Sequence, residues 1–184
     1  FLVIDKGNHT HRSWPQAAIL GTLLVWIPLL PLYYRSFRFP SGGRDLVHSF
    51  LTWFAVLTAT GLISFLPKVL DSWKFTNALV AHSHLAMAGF VTSFNTFLLS
   101  ALRDEDALAI FSPRSIRAWN AATFSFVGLM WAVGVMEAID PGFTILPNPL
   151  RTILYSGRAL CGVVMFACAT LWWRASLVPT GNAG

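Results

Sequence analysis

Five long apolar stretches dominate the chain. They run from Gln16 to Tyr34, Val47 to Leu66, Ala78 to Leu102, Ala118 to Ile139 and Ile153 to Trp173. Each matches the roughly 20 residues that an α-helix needs to cross the hydrocarbon core of a bilayer. The segments between them, residues 35–45, 67–77, 103–117 and 140–151, collect glycine, proline and charge, the usual punctuation between elements. No internal repeat and no second domain is apparent. The pattern predicts an all-α membrane protein in which residues 1–184 form one domain of five transmembrane helices. Pro28 and Pro31 fall within the first stretch. Membrane helices tolerate proline, and a kink near the end of that span is expected.

Composition supports this reading. Of 184 residues, 55% are hydrophobic and 11% charged, against about 25% charged in a typical soluble domain. So little charge cannot cover a soluble domain of this size, and lipid is the expected solvent. The net charge of +5 does not point to nucleic acid, because the basic residues are dispersed among the connecting segments. Their distribution predicts orientation instead. Arg35, Arg38, Arg44, Arg103, Arg114, Arg117 and Arg174 share one side. Lys6, Arg12, Lys68, Lys74 and Arg151 share the other. The richer side is expected to be cytoplasmic, which puts the N-terminus outside.

Cys161 and Cys168 lie in the last span, on one face but about two turns apart, too far to bond each other. They read as buried thiols. The opening Phe1–Ile4 runs into Asp5-Lys6-Gly7 without a charged leader or a cleavage site, a start that suits a chain whose beginning lies upstream.

The candidate chemistry is in the histidines. His82 and His84 sit in Ala-His-Ser-His-Leu-Ala-Met-Ala-Gly, in the first turns of the third span. An ionisable side chain within a membrane is costly and is by default a functional candidate. Residues i and i+2 of a helix are about 200° apart, so the two imidazoles point to opposite sides. They suit two separate metals better than one, and imidazole is a good axial ligand for haem iron. The alternative is that they hydrogen-bond neighbouring helices. His48, in the first turn of the second span, reads as a headgroup-level residue. His9 and His11 precede the first span, with spacing that would allow chelation from an extended segment or simple solvation. Asn95, Thr96, Asn120, Glu137 and Arg158 are further polar residues within spans. Arg158 has three readings: snorkelling outward, pairing with Glu137, or meeting the carboxylates of a bound haem.

The stretch Thr76-Asn77-Ala78-Leu79-Val80-Ala81-His82-Ser83-His84-Leu85-Ala86 resembles the tenth helix of the haem-copper oxidase superfamily, in the branch of the nitric oxide reductases and cbb3-type oxidases. Residues 7–15 resemble the outer end of that family's seventh helix. Trp26-Ile27-Pro28-Leu29-Leu30 resembles its eighth, and residues 155–162 the start of its twelfth. The likeness covers nearly the whole chain, aligned to the last five helices of a twelve-helix subunit. It implies that His82 is the ligand of a high-spin haem and His84 an axial ligand of a low-spin haem, both b-type. Arg158 is implied as a partner for haem carboxylates. His9 would stand at a copper or non-haem iron site. There the family has two adjacent histidines and this chain has Asn8 and His9, and an amide is a poorer ligand than imidazole.

The resemblance implies the C-terminal half of a catalytic subunit that reduces nitric oxide or oxygen in a respiratory electron-transport complex of a bacterial cytoplasmic membrane. Its partners would be the lipid bilayer and other subunits. The family's remaining haem and metal ligands come from helices that this chain lacks, so it is not expected to be catalytic by itself. The alternative is a diverged, non-catalytic structural or assembly subunit of a larger respiratory or photosynthetic membrane complex.

Overall fold

A computed structural model describes residues 14–39, 43–103 and 110–177. Every regular element among them is helical. Five helices are long and apolar enough to cross a membrane: α1 (Trp14–Tyr34), α2 (Gly43–Ser64), α3 (Asn77–Leu102), α4 (Pro113–Ile139) and α5 (Pro149–Ser176). The chain is an integral membrane protein.

The helices begin earlier than the apolar runs suggest, because polar caps set their starts. Thr76 Oγ1 accepts from the Ala78 N–H at 3.2 Å. Ser112 Oγ accepts from the Ser115 N–H, and Asn148 Oδ1 from the Leu150 N–H at 2.9 Å. Each satisfies an amide that the first turn leaves without a helical partner. Pro113 and Pro149 then open α4 and α5, where a missing N–H costs nothing. Conversely, α2 ends at Ser64 rather than at Leu66. Pro67 disfavours helical geometry in the residue before it, and Ser64 Oγ donates to the Thr60 carbonyl at 2.7 Å.

The irregularity in α1 is not near its end. A tighter 3₁₀ turn occupies Thr22–Val25, at mid-span. Pro28 has no N–H for the carbonyl of Leu24 and its ring crowds that carbonyl, so the disturbance lies one turn upstream of the proline. Pro31 sits within regular helix.

The centre of α3 departs from α geometry. Leu85–Val91 is a π-helical turn, beginning directly after His84. Two carbonyls in it find side-chain donors. Thr92 Oγ1 donates to the Met87 carbonyl at 2.9 Å, and Trp119 Nε1 from α4 donates to the Ala88 carbonyl at 3.0 Å. Such turns add one residue to a helix and often mark functional sites.

Packing follows chain order, with α3 between α2 and α4, and α5 against α4. One apolar cluster joins the arginine-rich ends of α2 to α5 through Leu46, Phe50, Phe97, Ile116 and Trp172. A second joins α2, α3 and α4 through Trp53, Ala81, Leu85, Val127 and Met130. Between them lies a polar knot. The side chains of Ser49 and Trp53 both donate to Asn120 Oδ1, at 3.0 and 2.8 Å, and Ser49 also meets Ser93. Cys168 is buried and Cys161 half-buried, and both are free thiols.

Candidate functional site

The H-x-H pair occupies the first third of α3, and the two rings do leave the helix on opposite sides. His82 reaches α2. Its Nδ1 lies 3.2 Å from Thr60 Oγ1, and its ring edge sits against Gly61, where a Cβ would come within 3.3 Å of Cε1. His84 turns towards α4, its ring 5.3 Å from that of Phe126. Its Nδ1 lies 2.9 Å from the Val80 carbonyl, one turn back on its own helix.

These partners bear on the tautomers. A carbonyl only accepts, so His84 Nδ1 carries the hydrogen and Nε2 holds the lone pair of the neutral ring. Thr60 Oγ1 has two partners at the same 3.2 Å, the Leu57 carbonyl and His82 Nδ1. When its single proton goes to the carbonyl, the oxygen accepts from His82 Nδ1–H and Nε2 holds the lone pair. Fixing one ring nitrogen by a second hydrogen bond orients a metal-ligating histidine. His84 is thus arranged as a single Nε2 donor, and His82, on the other side of α3, is one in the tautomer whose Nδ1–H meets Thr60.

Arg158 stands on the His84 side. Its guanidinium lies 5.5 Å from the centre of the Phe126 ring and 4.8 Å from that of Tyr155, both within cation–π range. It does not pair directly with Glu137. Asn77 stands between them: Arg158 Nη1 donates to Asn77 Oδ1 at 3.1 Å, while Asn77 donates to Glu137 through its side-chain amide at 2.7 Å and its backbone N–H at 2.6 Å. A single amide satisfies the base with its oxygen and the acid with its nitrogen. Nor does Arg158 simply snorkel, since its head is held by Asn77 and two rings.

No family model, curated protein or solved structure matches this chain.

Of the remaining candidates, only His48 is among the described residues, and it is not brought to the pair. His9, with Asn8 and His11, lies outside the described residues. His48 is exposed near the opposite end of the bundle and lines two grooves there. Among the described residues, no three histidine, cysteine, aspartate or glutamate side chains gather as a metal site. Among the described residues the arrangement therefore offers one imidazole on each side of α3 and no complete coordination sphere for a small metal ion.

Thr60, Gly61, Phe126 and Asn77 shape the site and were not singled out as site residues from the sequence. Asn77 carried a local signal, since it follows the N-cap Thr76 at the head of the histidine helix. Thr60, Gly61 and Phe126 carried none. They lie in other spans and have the ordinary composition of membrane helices.

Proposed function

We propose that this chain is a haem-copper-oxidase-like membrane subunit, corresponding to the C-terminal half of a nitric oxide reductase or cytochrome oxidase subunit I. In this reading it presents His82 and His84 as axial ligands to two b-type haems inside a larger electron-transfer complex. The supporting observation is the pair of imidazoles on opposite sides of one helix, each with its Nδ1 in a hydrogen bond and its Nε2 as the candidate ligand atom. The residues fit one axial ligand per haem. Gly61 lets the His82 ring lie against α2, and Phe126 and Arg158 beside His84 offer a ring face and a cation suited to a planar ligand with carboxylates,. When bound, the haems would carry the electrons. The protein would supply orientation, burial and one ligand to each.

The second axial ligand, and the ligands of any copper or non-haem iron beside the high-spin haem, would come from another polypeptide or from residues preceding the described segment. The chain alone is then not catalytic. The expected setting is a bacterial cytoplasmic membrane, with the His82–His84 end outward.

A second reading is favoured by the His82–Thr60 bond, which satisfies the ring within the protein by joining two helices. There the chain is a non-catalytic structural or assembly subunit. Haem content separates the two. The full chain, purified with its complex and assayed as the pyridine haemochrome, is expected to lose one haem in His82→Ala and the other in His84→Ala. A haem-free wild-type complex would refute ligation and leave the structural reading.

A further inference from the structure

The geometry points to a binding site for the phosphodiester headgroup of an anionic phospholipid, at the arginine-rich end of α1 and α2. A cavity of about 430 Å³ opens there, lined by Arg35, Arg44 and His48 together with Tyr34, Val47 and Leu51. It lies far from the histidine pair, and nothing in the proposed cofactor chemistry uses it.

Charge is the first argument. Arg35 comes from the end of α1 and Arg44 from the start of α2, so two permanent cations converge from different helices. No carboxylate is among the cavity's described lining residues. Asp45, the neighbour of Arg44, lines a separate groove with Arg117. Two guanidinium groups with no carboxylate beside them among the described lining residues suit a phosphate, which they can hold in bidentate fashion,. α2 begins at Gly43, beside Arg44, and the unpaired N–H groups of its first turn add partial positive charge at the same end.

The apolar half of the cavity is the second argument. Val47, Leu51 and Pro31 line it alongside the cations. On the neighbouring surface of α1, Leu32 and Tyr33 are 58% and 60% exposed. A free phosphate ion gains nothing from such a surface, whereas a lipid places its glycerol and upper acyl chains on it. Basic pockets between transmembrane helices are known settings for anionic headgroups.

Native mass spectrometry of the full chain in detergent tests the assignment, with phosphatidylglycerol, phosphatidylcholine and inorganic phosphate as probes. Phosphatidylglycerol is expected to be retained in preference to the other two. Arg35→Gln and Arg44→Gln should each weaken that retention roughly fivefold, as expected for one basic residue at a membrane surface. Arg44→Lys should restore most of it, and Arg174→Gln, at the same end but outside the cavity, should leave it unchanged. Equal retention of the two lipids would overturn the proposal, as would wild-type retention in both glutamine variants. Inorganic phosphate that competed on equal terms would assign the cavity to a free anion and overturn the lipid. Size-exclusion profiles identify variants that fail to fold, and Arg35, exposed at the end of α1, gives a test that does not depend on the start of α2.

Discussion

At the scale of single residues, the closest approach at any described glycine is where Gly134 of α4 meets the first residues of α3. A Cβ at Gly134 would fall on the backbone of Ala78, and backbone cannot rotate away as a side chain can. Gly134→Ala is therefore expected to cost about 1–3 kcal/mol or more through overpacking. Gly128→Ala, on the same helix with no neighbouring atom within 4 Å, should be neutral or slightly stabilising, since alanine is the better helix former. Thermal unfolding in detergent micelles measures both. The sequence made one part of this neighbourhood legible. A spacing of two residues on a helix fixed the opposite directions of His82 and His84, because that angle belongs to the helix alone. It could not name Thr60 or Phe126 as the groups they meet, since those depend on how separate helices approach. Spacing also left the direct pairing of Arg158 with Glu137 open, and the structure interposes Asn77.

At the scale of elements, the five spans were legible because a run of about twenty apolar residues matches the thickness of a bilayer and little else in a folded chain. Their ends were less so, since Ser112 and Asn148 are polar and hydropathy does not register them as part of a helix. The π turn was invisible. Leu85–Val91 is composed like any membrane helix, and what sustains the turn is a donor from Thr92 and another from Trp119 in the next span. Such a turn contains one residue more than the α-helical ladder needs. Deleting Met87, which is 63% exposed, should let the ladder close while both halves of α3 keep their faces. Deleting Val80 from the regular stretch should rotate everything before it by about 100° and break the contacts of Asn77 and Ala78. The expected outcome is a monodisperse, helical protein for the first deletion and aggregation for the second, read by size-exclusion chromatography and circular dichroism.

At the scale of the whole molecule, the unequal division of arginines predicts the direction in which the bundle crosses the membrane, with the arginine-rich end inward. Phe75, between α2 and α3, is 92% exposed, and Phe37, just after α1, is 47% exposed. In a Cys161→Ala, Cys168→Ala background, an impermeant maleimide applied to intact cells should label Phe75→Cys and spare Phe37→Cys; the opposite pattern would invert the orientation. Several ties converge where α3 starts. Asn77 is bound to Glu137 and Arg158, Ala78 abuts Gly134, and the Ala78 carbonyl receives Trp131 Nε1 at 3.1 Å. His82 and His84 stand one to two turns from these ties, so both rings are carried on a stretch of α3 that is anchored to α4 and to α5 alike.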